Sequence, residues 1–342
     1  MNILSRGRFA AAMLGLSFWA SAALCAEPTR YPLTLQNCGV AVTIAKAPSR
    51  VVSVGQSSTE ILLSLGLGDR MVGTAVWFEP VMPEFAAANA RIRRLADNDP
   101  SFEAVVGQQP DFVAAQYEGL IGAKGRVGTR EQFAALRVPS YVSPSDCVEK
   151  DNAAGGDGAR TQLFSMALIT QEIHELAAIF DIADRGDALV ARLQKREADA
   201  IASIAGTGAQ GLPVLFWFSS REVKGDAFVA GKTGAPAYIL SALGARNVIR
   251  TDDEWPTVSW ESIAVANPAV IVIARMDRRR FPADDVETKL NFLQTDPVAS
   301  RLDAVRQRHL VIMNAQSMNP TIRTIDGIEQ LAQGIRSFSI GK

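Results

Sequence analysis

The sequence is poor in histidine and has no strong charge of either sign, and each shortage excludes a class of function. Its 342 residues include two histidines, His174 and His309. Two are too few for a three-histidine metal site, and their separation does not match zinc-ligand spacing. The formal net charge is −1. A nucleic-acid-binding protein needs a clustered excess of lysine and arginine, so the composition argues against such a partner.

Catalytic and nucleotide-binding motifs are also missing. The sequence contains no Gly-x-Ser-x-Gly nucleophile elbow. The segment Gly225–Thr233 resembles a phosphate-binding loop, but five residues separate its glycines where four are needed. Glu172 and Glu175 flank His174 in a predicted helix, and this spacing indicates a solvated helical face. No recognisable catalytic constellation follows from these residues.

Long apolar runs are scarce, and the clearest one lies near the N-terminus. Phe9–Trp19 is apolar, follows Arg6 and Arg8, and precedes small residues that continue to Ala26. This pattern predicts a secretory signal over residues 1–26, cleaved after Ala26. A membrane anchor is the alternative, but the run is shorter than the ~20 residues that a spanning helix needs. The predicted location of the mature protein is the periplasm.

Cysteine is the next scarce residue, with three in the whole chain. One of them, Cys25, lies within the predicted signal, which leaves Cys38 and Cys147. An exported chain with two cysteines most simply pairs them, and two buried free thiols are the alternative. Closing so long a loop stabilises the fold by about 4–5 kcal/mol in the chain-entropy treatment.

A pattern that occurs twice is the most informative feature that is present. Ser101–Glu103 reads serine, aromatic, glutamate, and six residues separate it from Pro110. Ser259–Glu261 repeats the same order, again six residues before Pro268. Self-similarity at this interval predicts two related α/β units and places one glutamate near a helix start in each.

Short apolar runs alternate with helical patterns in both halves, which predicts an α/β fold with parallel sheets and crossover helices. The predicted strands are Val51–Val54, Met71–Thr74, Phe112–Ala115, Tyr141–Val142, Val214–Phe218, Phe228–Ala230, Val248–Ile249, Val270–Ala274 and Leu310–Met313. The predicted helices are Ser58–Leu65, Phe102–Gln108, Arg130–Leu136, Gln162–Phe180, Asp184–Ile204, Ala237–Leu243, Trp260–Ala266, Val286–Leu293 and Ile322–Ile335.

The predicted organisation is two lobes joined by a helical segment. We expect a first lobe over residues 27–160, helices over 161–205, and a second lobe over 206–342. The helix Asp184–Ile204 has no glycine or proline after Asp187, so it is interpreted as a single rigid connector and not a flexible hinge. A chain of this length exceeds the size at which one hydrophobic core keeps growing.

Large aromatic side chains cluster at the ends of predicted strands or in the loops that follow. In open α/β sheets, ligands bind outside the carboxyl ends of the strands. Planar apolar groups there favour a sizeable, partly apolar ligand. Core or interlobe packing is the alternative, and one of Trp217 and Phe218 is expected to be core because they point to opposite faces. The aromatic candidates are Trp77, Phe78, Trp217, Phe218, Phe228 and Trp255.

Several polar residues and one methionine are further candidates for ligand contact. Asp97 is expected at the rim of the first-lobe wall, while Met318 and Arg323 are expected in the second-lobe wall. Asn319 either contacts the ligand or caps the terminal helix. A basic cluster of Arg275 and Arg278–Arg280 either meets an anionic ligand or is a solvated loop.

The sequence resembles the substrate-binding proteins of ABC importers, in the subgroup that binds iron–siderophores, cobalamin and haem. The residues that carry this resemblance are the repeated motif, Arg50–Ser53, Thr59–Leu62 with Leu65-Gly66, and the connector helix. The resemblance implies a shallow cleft between two lobes. It also implies that Glu103 and Glu261 dock onto arginines of the membrane permease.

The resemblance also bears on the ligand. The aromatic contacts of the cobalamin-binding members match Trp77, Phe218, Phe228 and Trp255 by position. The haem-binding members have a tyrosine where this chain has Leu95–Asp99, which argues against haem. An iron chelate or a corrinoid is the expected ligand, carried by a monomer that has no cofactor of its own.

The competing prediction is an exported enzyme, such as a glycosidase with paired carboxylates in the cleft. The repeat argues against it, because it places Glu103 and Glu261 on separate lobes.

Overall fold

The structure is a computed structural model that describes residues 27–154 and 158–338. The predicted signal at residues 1–26 lies outside the described residues. The chain forms two large sheets flanked by helices, which confirms the predicted α/β fold class.

The first lobe is built on a five-stranded sheet in the order β5-β4-β3-β6-β7, with every pair parallel. The strands of this lobe are β1 (Leu33–Asn37), β2 (Val40–Ile44), β3 (Val51–Val54), β4 (Met71–Ala75), β5 (Arg94–Ala96), β6 (Phe112–Ala115), β7 (Ser140–Val142), β8 (Lys150–Asp151) and β9 (Ala159–Arg160). Its helices are α1 (Gln56–Ser64), α2 (Ala86–Asn89), α3 (Phe102–Val106), α4 (Glu118–Ile121) and α5 (Arg130–Ala135). The strands β3 and β6 are buried on both faces, as in other parallel sheets covered by helices.

Two antiparallel pairs lie outside this sheet: the hairpin β1–β2 and the short pair β8–β9. Cys38, in the turn of the β1–β2 hairpin, is joined to Cys147 by a disulfide with an Sγ–Sγ distance of 2.05 Å. The predicted disulfide is therefore confirmed, and the alternative of two free thiols is wrong.

The two lobes are connected through a pair of helices, α6 (Met166–Ile179) and α7 (Ala183–Ser203). The predicted connector Asp184–Ile204 corresponds to α7 within one residue at each end. However, α7 packs along α6, so the connection is a helical layer and not one isolated helix. A continuous cluster of buried apolar side chains includes Ile61 of the first lobe, Ile173 and Leu193 of this layer, and Phe216 of the second lobe.

The second lobe has a mixed sheet in the order β13-β11-β10-β14-β15, with β12 also paired to β10. Its strands are β10 (Pro213–Ser220), β11 (Ala227–Val229), β12 (Arg246–Asn247), β13 (Thr257–Val258), β14 (Val270–Arg275) and β15 (Leu310–Asn314). Its helices are α8 (Ala235–Ala242), α9 (Trp260–Ala266), α10 (Val286–Thr295), α11 (Asp303–Arg306) and α12 (Thr324–Ser337). The strands β10, β12, β14 and β15 pair in parallel, as predicted, whereas β11 does not. The β10–β11 connection over residues 221–226 is too short for a crossover, so β11 runs antiparallel.

Short 3-10 turns complete the structure at Gly68–Arg70, Pro83–Phe85, Pro144–Asp146, Pro282–Asp284, Ala299–Arg301 and Ala315–Met318. Asn319 follows the last of these turns, and its side-chain amide donates to the Ala315 carbonyl at 3.1 Å. The terminal helix α12 begins only at Thr324, so the predicted capping role of Asn319 is wrong. Among the residues that the structure describes, no helix is both long and apolar enough to cross a membrane.

Candidate functional site

The loops after the strands of the two sheets face each other and are joined by hydrogen bonds. Glu79, in the loop after β4, accepts the backbone N–H of Asp277 at 3.0 Å and the side-chain amide of Asn314 at 3.2 Å. Burial raises the pKa of Glu79, and these donors partly oppose that effect. The contact between the lobes therefore has a polar seam in which Glu79 is already hydrogen-bonded to groups of the second lobe.

A buried ion pair lies in the same seam. The Nε of Arg323, just before α12, is 2.8 Å from Oε2 of Glu60 on α1, and its Nη2 donates to Oε1 of the same carboxylate. Nη2 also donates to the Pro80 carbonyl at 2.7 Å. Both side chains are buried, at 8% and 1% exposure. Arg323 was expected to be a candidate ligand contact, but its guanidinium is committed to Glu60 and Pro80.

Gln56 positions the first-lobe loop relative to this ion pair. Its Oε1 accepts the backbone N–H groups of Phe78 at 3.1 Å and Glu79 at 3.0 Å. Its Nε2 donates to Glu60 Oε1 at 3.1 Å. Val76, at the start of the loop, has a φ of 62°, which is unfavourable for a β-branched residue. Gln56 and Glu60 together hold this strained loop in place.

Arg278 crosses between the lobes at the rim of the cleft. Its Nη1 donates to the carbonyls of Trp77 and Asp97, both at 2.8 Å, and its Nη2 donates to the Asn98 side chain. The carboxylate of the exposed Asp97 pairs instead with Arg94. The basic cluster Arg278–Arg280 is therefore not simply a solvated loop, since its first residue bridges the two lobes.

Partly exposed aromatic side chains lie on both sides of the seam. Phe218 and Trp255 pack with ring centroids 4.6 Å apart, and both keep exposed surface. Phe228 lines a cavity of about 350 Å³ with Arg221 and Glu222. On the first lobe, Phe78 is half-buried. These aromatic groups are the ones that the structure leaves available to a ligand.

The remaining aromatic and apolar candidates are packed inside the protein. Trp217 is fully buried against Trp260, at 4.7 Å between ring centroids, because it faces the opposite side of β10 from Phe218. Met318 is also fully buried. The expectation that these two residues line the cleft is therefore wrong. Trp77 is 1% exposed, and its Nε1 donates to Thr74 Oγ1 at 3.3 Å.

A buried lysine supports the second-lobe wall from below. Lys289 is fully buried and donates to the carbonyls of Phe218 at 2.6 Å and Ala274 at 3.1 Å. Burial lowers the pKa of Lys289 to about 8. Lys289 thus joins the carboxyl ends of β10 and β14 next to the partly exposed Phe218. The sequence contains no sign of this role, because a lysine in a helix is usually solvated.

Glu172 was expected on a solvated face, and the structure contradicts this. Its side chain is fully buried and accepts the hydroxyls of Ser58 at 2.9 Å and Ser143. Burial raises its pKa to about 7. Ile169 and Ile173 are buried around the same position of α6, so the helix presents Glu172 to the first lobe, while His174 points to solvent.

The two repeated glutamates occupy matching positions. The side chain of Ser101 caps α3 by accepting Ala104 N–H, and that of Ser259 caps α9 by accepting Ser262 N–H. Glu103 and Glu261 are each the second residue of their helix, and both are exposed. Both helices start at the carboxyl end of a sheet, which is the end that carries the cleft.

The match continues beyond the helices. The residues before the repeated prolines, Gln109 and Asn267, both have a left-handed backbone, with φ of 50° and 42°. The residues directly after the two prolines make matching backbone hydrogen bonds. Asp111 N–H donates to the Arg50 carbonyl and Ala269 N–H to the Pro213 carbonyl, each at 2.9 Å. The repeat in the sequence is therefore a repeat in backbone structure.

Two α/β lobes, a helical connecting layer and a cleft at the facing carboxyl ends of the sheets define a two-lobed binding protein. The sequence model of the periplasmic binding protein family matches residues 51–317. The chain belongs to this family, which confirms the prediction of a substrate-binding protein and favours it over the enzyme alternative.

Individual relatives are distant but match over most of their length. An uncharacterised ABC transporter substrate-binding lipoprotein of Bacillus subtilis is 22% identical over 89% of this chain and 86% of its own. A vitamin B12-binding protein of Vibrio parahaemolyticus is 23% identical over 86% of this chain and 93% of its own. The solved structure of an ABC-type Fe³⁺-hydroxamate transport system from Saccharomonospora viridis has a TM-score of 0.68, at 25% identity, covering 89% of this chain and 99% of that chain.

Proposed function

We propose that the protein binds a metal chelate, an iron–siderophore or a cobalamin-like corrinoid, and delivers it to the permease of an ABC importer. The observation that carries this proposal is the set of partly exposed aromatic rings on both sides of the cleft. A vitamin B12-binding relative and a solved Fe³⁺-hydroxamate transport protein support the choice of ligand class.

The aromatic rings suit the body of such a ligand. Phe218 and Trp255 form one packed surface, and Phe78 is a partly exposed ring on the other lobe. A large chelate presents apolar surface that these rings can cover, and burial of one aromatic side chain contributes about 1.5–3 kcal/mol. The protein groups therefore hold the chelate as a whole and leave the metal to the chelator. In the described stretches, no three His, Cys, Asp or Glu side chains are grouped to hold a metal ion.

The proposed contact with the permease uses Glu103 and Glu261. Both are exposed in the first turn of a helix, one on each lobe, which supports this role. A carboxylate accepts a bidentate pair of hydrogen bonds from an arginine, which fixes orientation as well as energy. Two such contacts would place the cleft over the translocation path. This mode of action requires a monomer exported to the extracytoplasmic space.

The test is native mass spectrometry and an absorption spectrum of the protein purified from the periplasm of its own host. A bound chromophore with the mass of a corrinoid or ferric chelate is expected. Quenching of tryptophan fluorescence by cyanocobalamin and by a ferric hydroxamate then separates the two classes. If purified protein carries no chelate and neither compound quenches, the proposed ligand class is wrong.

A further inference from the structure

A groove in the first lobe lies at the opposite end of the sheet from the cleft. It has a volume of about 440 Å³ and is lined along one side by β2. Its other walls include Pro48, Asp111 and Pro139, which directly precede or lie near the starts of β3, β6 and β7. Because these strands are parallel, the groove is at their amino ends and is separate from the cleft.

Arg130, the first residue of α5, forms part of the wall and is 8% exposed. Its Nη2 donates to Asn37 Oδ1, but its Nη1 is buried and has no hydrogen-bond partner. Burial lowers the pKa of Arg130, while Glu118 and Glu131 act on it only as nearby charges. No carboxylate in residues 27–154 and 158–338 forms an ion pair with Arg130 at 4.0 Å or less. A buried guanidinium in this state is costly, and an anion that reaches it from the groove would offset that cost.

The other charged groups of the groove point to the same ligand chemistry. Lys46 and Arg137 line it, are exposed, and form no ion pair within the described part of the chain. The acidic side chain in the lining is Asp111. Its carboxylate is already used, accepting the backbone N–H groups of Ser49 and Arg50 at 2.8–3.1 Å. An entering anion therefore meets three cations and one occupied carboxylate.

The rest of the lining is largely apolar. Val40, Ala134, Val138 and Pro139 contribute aliphatic surface beside the cations. The volume falls in the range of small-molecule sites, which are mostly apolar with a few fixed polar groups. A ligand that fits both features has one carboxylate and an aliphatic body.

We propose that this groove is a second binding site, for a small carboxylate with an aliphatic body. The carboxylate pairs with Arg130 and is flanked by Lys46 and Arg137, and the aliphatic part lies against Val40 and Val138. The inference does not depend on the ligand of the cleft or on transport.

The test uses the mature chain, with hexanoate as the probe and hexanamide as its neutral control. Amide chemical shifts of Val138–Ser140 and Val40–Ala45 are followed by NMR as each compound is added. Hexanoate should shift these amides with an affinity about tenfold or more above that of hexanamide, since hydrogen bonds to charged groups are the stronger ones. Equal affinities, or shifts confined to other regions, would overturn the proposal.

A pair of variants tests whether hexanoate binds in this groove through its negative charge. Removal of Arg130 breaks its hydrogen bond to Asn37 at the end of β1, so the main variant is instead Val40→Asp, at a residue that is 42% exposed. Its carboxylate repels the probe, and we expect a loss of hexanoate binding of about tenfold or more. Val40→Asn has nearly the same shape as Val40→Asp without the charge, so it should lose only the aliphatic contact of Val40 and bind hexanoate several-fold more tightly than Val40→Asp does. If Val40→Asp binds hexanoate as well as Val40→Asn does, the proposed site is wrong.

Discussion

Glu60 and Arg323 are 263 residues apart in sequence and form one buried ion pair across the two lobes, with Arg323 Nε 2.8 Å from Glu60 Oε2. Glu60 lies on the first helix of the first lobe, and Arg323 directly precedes the last helix of the second. Through Gln56, the same carboxylate is linked to the loop that carries Phe78. The ion pair thus couples the arrangement of the lobes to the position of the loop that carries Phe78.

We therefore predict that Arg323→Met destabilises the fold by about 3–5 kcal/mol, because it leaves the Glu60 carboxylate buried without its cation. Adding Glu60→Gln should recover more than half of this loss. Urea unfolding of the wild type, Arg323→Met and the double variant measures the free energy of unfolding of each. Lys195→Met is the control, since its ion pair with Asp199 is exposed and should contribute about 1 kcal/mol or less. An Arg323→Met midpoint equal to that of Lys195→Met would contradict the prediction.

The buried carboxylate of Glu172 predicts a pH dependence of stability. Its pKa is raised from 4.5 to about 7 in the folded protein. The folded state therefore binds more protons than the unfolded state between these values, and stability should fall as pH rises from about 4.5 to 7. The corresponding loss is of order 3 kcal/mol.

Glu172→Gln removes this titration and keeps the hydrogen-bonding shape, so its stability should change less over the same pH window and exceed that of the wild type at pH 8. Thermal unfolding at several pH values measures the difference. Glu103→Gln, an exposed glutamate, is the control and should follow the wild type. The interpretation fails if Glu172→Gln shows the wild-type pH profile.

The aromatic wall predicts which substitutions weaken ligand binding. Trp255→Ala and Phe218→Ala should each weaken binding of the chelate by about tenfold to a hundredfold. The sequence indicates that Trp77→Ala also weakens ligand binding. Because Trp77 is buried, we expect this variant mainly to lower the stability of the fold, by about 3–5 kcal/mol. Titration followed by fluorescence quenching gives the affinities, and thermal melts separate the two effects. Wild-type affinity in both Trp255→Ala and Phe218→Ala would move the site elsewhere.

The repeated glutamates predict a defect in transport alone. The double variant Glu103→Ala with Glu261→Ala should bind ligand and melt like the wild type, while uptake and permease-stimulated ATP hydrolysis are lost. Glu131→Ala with Glu287→Ala is a matched control, since these exposed glutamates are also second residues of helices, one in each lobe. Any effect of the helix dipole is common to both pairs. If the control abolishes uptake equally, or the first pair does not, the docking role is wrong.

Local patterns in the sequence predicted those elements whose boundaries depend on local chemistry. The strands Val51–Val54 and Phe112–Ala115 and the helix Trp260–Ala266 have the predicted bounds. Each is an apolar segment with a clear start signal, such as the Ser259 cap. The hairpin β1–β2 was missed because its strands are only half-buried and its turn at Cys38-Gly39 has no standard turn sequence, although both residues have positive φ.

The site was harder to predict because its polar groups depend on partners distant in sequence. The buried Glu172 accepts hydrogen bonds from Ser58 and Ser143, which lie 114 and 29 residues away in sequence. Lys289 bonds to the carbonyls of two strands. Burial of this kind depends on tertiary packing, so helical periodicity alone assigned Glu172 to the solvent side.

The apolar cluster that continues from Ile61 through the α6–α7 layer to Phe216 makes the two lobes one cooperative unit. Neither lobe can expose its share of the cluster without removing the packing surface of the other. Calorimetry of the protein without ligand should therefore show one transition whose van't Hoff and calorimetric enthalpies agree, and not two. A ligand that binds only the folded cleft then raises the melting temperature of the entire chain, including the groove at its far end.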